Sequence, residues 1–249
     1  MLGKSRDLHE EHAPRTIRQR IGNPRGESPL GDFMLGGVDG VVTTFAVVAG
    51  SAGGQLSATT VIILGFANLL ADGFSMAVSN YLGTKTRLEE VRRSRADEEW
   101  QIREFPEGEE REIREIFAQK GFEDETLEEI VRVITADRRV WVDTMMAEEL
   151  QMSDVSARPF RAGLTTFVAF SLCGLIPLLP FLFGFADFDT TFIVSAILGA
   201  VTFFTLGTIK GLTVGTSPLR SGLRTFAIGS VAAALAYVAG HLLHAWLAG

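Results

Sequence analysis

Between Asn68 and Asn80 the chain reads Asn-Leu-Leu-Ala-Asp-Gly-Phe-Ser-Met-Ala-Val-Ser-Asn. Asn68, Asp72, Met76 and Ser79 step by four, four and three residues, so a helix places them on one face, with Leu70, Phe74, Ala77 and Val78 opposite. An amide, a carboxylate and a thioether can replace the water shell of a cation one ligand at a time. A second carboxylate, Asp39, shares a helical face with Thr43 and Ala46 in the preceding apolar segment. Oxygen ligands alone suit Mg²⁺ or Ca²⁺, and the sulfur of Met76 tilts the set toward a softer first-row metal. A carboxylate in an apolar helix is costly unless it faces a cavity or a partner. Asp39, Thr43, Asn68, Asp72 and Met76 are therefore candidate transport-path residues. The plainer alternative makes the two acids helix-end caps and Met76 ordinary packing.

A second set lies in a polar stretch. Glu98, Glu99, Glu109, Glu112 and Glu115 recur there with Met145, Glu148 and Glu149. Glu109, Glu112 and Glu115 step by three, and Met145 and Glu149 are one helical turn apart. Facing carboxylates are how helical bundles hold transition metals, although a run of acids is more commonly a solvated face. No Glu-x-x-His occurs in this stretch, so a di-iron oxidase centre is not supported. His9 with His12, and His241 with His244, read as solvated or interfacial pairs, Cys173 as packing, and Lys210 as a snorkelling side chain.

The elements that must position these groups follow from the distribution of charge. Of 30 acidic residues, 21 lie between Glu89 and Asp154, and of 23 basic residues, 14 lie between Lys85 and Arg161. Five apolar stretches of roughly 20 residues, each long enough for a bilayer, fill most of the rest: Phe33 to Gly53, Thr59 to Leu82, Ala162 to Gly184, Thr191 to Ile209, and Leu223 to Leu247. Pro177 and Pro180 should kink the third. Gly36 with Gly40, and Gly50 with Gly54, have GxxxG spacing and suggest close packing on a neighbour, either another span or a second copy. The expected organisation is a cytosolic tail (1–30), spans one and two (31–84), a cytosolic metal-binding helical domain (85–160) and spans three to five (161–249).

The inserted domain reads as three helices. The first runs from Thr86 to Glu104, the second from Pro106 toward Gly121, and the third from Asp124 through Met145, with Thr126 and Glu129 in capping-box spacing. The fold class is thus an all-α integral membrane protein of five spans, with a three-helix domain between spans two and three. Every Lys and Arg falls on one side of this arrangement, including Lys4, Arg6 and Arg25 in the tail and Lys210, Arg220 and Arg224 between spans four and five. The positive-inside rule then puts the N-terminus and the insertion in the cytosol and the C-terminus outside.

A net charge of −7 argues against a nucleic-acid partner. One cysteine allows neither an intramolecular disulfide nor a cysteine metal cluster. No nucleophile–base pair, phosphate loop or zinc-hydrolase spacing is present, so an enzyme is not expected. The polar tail carries no ordinary cleavable signal or targeting extension, which leans toward a prokaryotic plasma membrane.

Three motifs carry a family resemblance: Asp39-Gly-Val-Val-Thr-Thr-Phe-Ala-Val-Val-Ala-Gly50, Ala67-Asn-Leu-Leu-Ala-Asp-Gly-Phe-Ser-Met-Ala77 and Trp141-Val-Asp-Thr-Met-Met-Ala-Glu-Glu-Leu150. Together they resemble the vacuolar iron transporter family, which includes the yeast-type calcium-sensitive cross-complementer transporters. The resemblance implies a five-span homodimer exchanging cytosolic Fe²⁺, and often Mn²⁺, for protons along a path near the dimer interface. It assigns the path acid to Asp39 and the path methionine to Met76. A second path carboxylate of some members falls at Asn68, and the usual Gly and acid fall at Ser79 and Asn80. It implies metal ligands at Glu98, Glu109, Glu112, Met145 and Glu149, while two further family acids fall at Gln101 and Met146.

The expected activity is export of Fe²⁺ or Mn²⁺, with Zn²⁺ and Co²⁺ as further cargo candidates and no prosthetic group. Partners are metal ions, protons, membrane lipid and a second copy. The alternative is a membrane-anchored metal buffer or sensor through which nothing crosses. The topology is tested by fusing alkaline phosphatase to Gly249 in a bacterial host. An active fusion is expected, and a silent one would mean the span count is wrong by one.

Overall fold

A computed structural model describes residues 12–22, 29–152, 157–184 and 187–248. Lys4, Arg6, His9, Arg25, Asp154 and Gly249 lie outside the described residues. The described residues form helices and no strands. The helices are α1 (Pro14–Gly22), α2 (Leu30–Gly53), α3 (Ala58–Glu104), α4 (Pro106–Gln119), α5 (Asp124–Thr135), α6 (Arg138–Glu148), α7 (Pro159–Leu175), α8 (Leu179–Phe183), α9 (Phe188–Val214) and α10 (Pro218–Ala248). Five segments are long and apolar enough to cross a membrane: α2, α3, Pro159–Phe183, α9 and α10. The protein is therefore an all-helical integral membrane protein.

Two compact units divide the chain, Pro29–Arg87 with Arg158–Gly249, and Met1–Ser28 with Leu88–Ala157. In the first, α2 is central and lies against α7, α9 and α10. Its glycines explain how. A Cβ on Gly36 would strike the Thr166 carbonyl, one on Gly40 the backbone of Phe170, and one on Gly53 the Tyr237 carbonyl. The small-residue spacing of α2 thus serves contacts with α7 and α10 of its own chain, where bare backbones touch. Val41, Phe45 and Val48 of α2 join Phe170, Leu178, Phe203 and Leu206 in the apolar core.

The expected kink in the third span is a 3₁₀ turn at Ile176–Leu178. Pro177 cannot donate to the carbonyl of Cys173, which instead accepts from the Ile176 amide. The Pro177 carbonyl accepts a 2.6 Å hydrogen bond from Ser195 Oγ, which secures the bend to α9.

The second unit has its own core, built on Ile102, Ile113, Val131, Trp141, Val142 and Met145. Two expectations for this region need correction. The segment from Thr86 to Glu104 is no separate helix but the continuation of the second span, in one helix of 47 residues. No proline intervenes before Pro106, and good helix formers carry the helix through the change from apolar to charged sequence. The third predicted helix is two helices. Asp137 breaks the run by accepting from the backbone N–H groups of Arg139 at 2.8 Å and Val140 at 3.3 Å, an N-cap that restarts the chain as α6. Thr126 and Glu129 form no capping box, because α5 starts without a side-chain cap and Glu129 pairs with Arg132.

Backbone contact at Gly40 leaves no room for a side chain. Gly40→Val should destabilise the protein by about 1–3 kcal/mol or more. Gly83, where a Cβ would meet nothing within 4 Å, should accept alanine. Size-exclusion profiles and melting temperatures of the two variants in detergent check this.

Candidate functional site

The second span turns a stripe of Gly65, Leu69, Gly73, Met76 and Asn80 toward its neighbours, each buried or half-buried. Leu70 and Phe74 point away from these neighbours, both 65% exposed in the single chain. Asn68 and Asp72 flank the inward stripe and, like Met76 within it, are half-buried. Asn68 donates its side-chain amide to Asp72 Oδ2. The Asn68 Oδ1 atom is buried and without a hydrogen-bond partner among the described residues. Asp39 of α2 lies within electrostatic reach of Asp72, so these two carboxylates from successive helices share one neighbourhood. Met76 packs at the edge of the apolar core. Thr43 donates its hydroxyl to the Asp39 carbonyl at 3.0 Å, one turn back in its own helix.

Two expectations for this face are corrected. Ser79, expected on the polar face, is exposed, and Asn80 takes the inward place. Ala77, expected on the opposite face, lies beside Gly163 of α7, where its carbonyl bars a Cβ. The sequence reading missed a polar cluster here. Asn80 Nδ2 donates to Asp32 Oδ1 and to Thr166 Oγ1, each at 2.7 Å. Continuing the step of four from 68, 72 and 76 to 80 would have found it. At the opposite end of the span pair, Gln55, Ser57, Phe181, Asp189 and Tyr237 border a cavity of about 530 Å³.

In the second unit the candidate ligands divide into buried and exposed. Glu98 is 3% exposed and Glu109 4%, whereas Glu112 and Glu149 are exposed. One oxygen of each buried acid, Glu98 Oε2 and Glu109 Oε2, has no hydrogen-bond partner among the described residues. Burial, then the charges of Glu149, Glu112 and Asp97, push Glu98 up to about 7. Burial, then Glu112, Glu98 and Glu149, push Glu109 up to about 7. Glu149, exposed as a whole residue, is raised by partial desolvation of its carboxyl and then by the charge of Glu112. These four acids therefore form one electrostatic cluster in which like charges face one another.

Met145, one turn before Glu149, is fully buried in the apolar core of this unit. Other acids are committed elsewhere: Glu148 pairs with Lys120 at 2.5 Å, and Glu115 accepts from Gln119 at 2.9 Å. Among the described residues, no three His, Cys, Asp or Glu side chains are placed to hold one metal ion. Of the histidines, His12 and His241 are exposed and His244 half-buried.

Residues 30–241 match the model of the VIT family. The chain is 36% identical over 219 residues to the vacuolar iron transporter of Toxoplasma gondii, covering 84% of this chain and 72% of that protein. It is 32% identical over 207 residues to vacuolar iron transporter 1 of Arabidopsis thaliana, covering 83% and 82%. It is 29% identical over 223 residues to the vacuolar iron transporter of Plasmodium falciparum, covering 86% and 82%.

The raised carboxyl groups make stability depend on pH. Between the ordinary glutamate value of 4.5 and about 7, the folded chain binds more protons at Glu98 and Glu109 than the unfolded chain does. Their contribution to stability therefore falls as pH rises through that window. Chelator-treated protein should melt higher at about pH 5.5 than at about pH 8, and the Glu98→Gln, Glu109→Gln double variant should lose part of that difference. An unchanged difference would deny the buried acids this role.

Proposed function

The chain belongs to the VIT family and is a metal-ion transporter of the membrane, and from that premise we propose that it carries Fe²⁺ out of the cytosol in exchange for protons, with Mn²⁺ as second cargo. The observation that carries this reading is that Asp39 and Asp72, from two successive spans, lie within electrostatic reach of each other, with Asn68 and Met76 beside Asp72. Two carboxylates that share a partly desolvated neighbourhood repel each other until a cation or protons join them. A divalent ion entering between them can displace protons, and protons can take its place when it leaves. Asp39 and Asp72 supply charge, and the Asn68 amide orients Asp72. Its unpartnered oxygen is a neutral ligand, and Met76 is the soft donor that favours a transition metal. Thr43 lines the same path through its backbone-bonded hydroxyl.

The insertion is proposed to lie in the cytosol and collect metal. Glu98, Glu109, Glu112 and Glu149 would gather the cation, and Met145 would stand beneath them. The unpartnered oxygens of Glu98 and Glu109 and the mutual repulsion of the four acids support this, because a cation relieves both. The cavity bordered by Gln55, Ser57 and Asp189 is the proposed outlet. We also propose a homodimer in which the exposed apolar face of α3, including Ile63, Leu70 and Phe74, meets its copy. The relatives are named for a vacuole, which lends the expected prokaryotic plasma membrane no support. The proposed orientation, N-terminus and insertion cytosolic, rests on the one-sided basic residues.

Flux into proteoliposomes with an imposed pH gradient tests the reading, with Fe²⁺ competed against Mn²⁺, Zn²⁺ and Co²⁺. Asp39→Ala should abolish flux, and Met76→Ala should lower it. Asn68→Ala should cost about 10- to 100-fold, as loss of a group that orients a metal ligand does. Full Fe²⁺ flux through Asp39→Ala would refute the path. Metal binding without flux would favour a membrane-anchored buffer.

A further inference from the structure

Asp32 precedes Asp39 by seven residues, two turns of α2, and Asn80 follows Asp72 by eight, about two turns of α3. The two helices run in opposite directions through a short turn, so the seam that brings Asp39 to Asp72 brings Asp32 to Asn80 roughly 10 Å further along, toward the insertion-side end. Asn80 closes that end. Its amide donates at 2.7 Å both to Asp32 Oδ1 and to Thr166 Oγ1 of α7. Thr166 is fully buried, and its own hydroxyl proton is directed to the Ala162 carbonyl at 3.0 Å, which leaves its oxygen to accept from Asn80.

The partners of Asn80 belong to a rigid pair. Gly36 and Gly40 press α2 onto the backbone of α7 at Thr166 and Phe170, with no side chain between them to yield. The second span meets this pair differently. Most of its contacts are side chain against backbone, Leu178 at Gly65 and Phe170 at Gly73, and these are apolar and without direction; one backbone approach, the Ala77 carbonyl at Gly163, lies about a turn from Asn80. Between residues 58 and 84, and among the described residues, the side-chain hydrogen bonds that join α3 to other spans are the two made by Asn80. A hydrogen bond to a charged group in a buried setting is worth more than a neutral one and depends steeply on geometry.

We propose that Asn80 is a positioning residue of the transport cycle: its amide clasps the second span to Asp32 and Thr166, and the seam holding Asp39, Asp72 and Met76 opens at the insertion-side end when that clasp breaks. The amide suits the task because it donates to Asp32 without adding charge. A carboxylate at 80 would face Asp32 as a like charge and would need a proton or cation between them. The proposal rests on the path assigned to spans one and two.

The test is a reversible lock. In the full chain with Cys173→Ala, the pair Asp32→Cys and Asn80→Cys is joined by a short, reducible bis-methanethiosulfonate linker, and Fe²⁺ and Mn²⁺ flux is measured in proteoliposomes before linking, after linking and after reduction. Linking should lower flux about tenfold or more, a shift of at least about 1.4 kcal/mol against the open state, and reduction should restore it. The Cys173→Ala parent should ignore the reagent. The exchange Asp32→Asn with Asn80→Asp keeps a donor opposite an acceptor and should recover most of the flux that Asn80→Asp alone loses. A linked protein with unchanged flux, a pair that cannot be linked, a reduced pair with no flux, or an exchange no better than Asn80→Asp would each overturn the clasp. A protein that links at 32 and 80 while its Cys173→Ala parent carries neither metal would leave the clasp geometry standing and sink the proposed cargo.

Discussion

A carboxylate withdrawn from bulk water must be given a donor, a proton or a cation, and this chain places several under that constraint. Each is answered differently. Asp32 receives the amide of Asn80, and Asp72 receives the amide of Asn68. Asp39 is set beside a like charge. Glu98 and Glu109 are buried among other acids with an oxygen of each unpartnered. A neutral donor satisfies one oxygen of a carboxylate without cancelling its charge, whereas neighbouring like charges leave a standing demand for positive charge.

Packing in the membrane unit divides rigidity unevenly. Glycines let α2 meet α7 and α10 backbone to backbone, a contact with no soft side chain in it. The second span, by comparison, touches its neighbours mainly through side chains, with one backbone approach of Ala77 to Gly163 and two hydrogen bonds from Asn80. Spans one and three are therefore fixed to each other by repeated backbone contact, and the second span is held more by contacts that can be exchanged. A transporter needs that asymmetry, because a cation passes only if the two walls can separate and rejoin.

The inserted unit shows how an apolar floor creates an electrostatic site. Ile113 and Met145 are fully buried, and Glu109 lies one turn from Ile113 on α4. Helix α6 carries Met145 inward and ends at Glu148, just before Glu149. The Asp137 cap restarts the chain before α6, and Arg95 reaches Asp143 on its exposed side. The core thus forces two glutamates out of water. It does so with no three ligands converged among the described residues, so the cluster is acidic before it is a coordination sphere.

Local periodicity determined much of this protein from the sequence alone. Five apolar runs, the one-sided basic residues, the proline-induced bend and the outward placement of Leu70 and Phe74, opposite Asp72 and Met76, are all consequences of hydropathy and helix geometry. Other features were decided only by the fold. A helical wheel gives angles on a straight helix, but the neighbour found at each angle changes along the length of a span. Hence Asn80, not Ser79, turns inward, and Gly36 and Gly40 meet α7 of the same chain. Likewise, Glu98, Glu109, Glu112 and Glu149 look alike in sequence, and only the packing of separate helices buries the first two and leaves the others in water. Burial is a property of what surrounds a residue, and those surroundings come from segments distant in the chain.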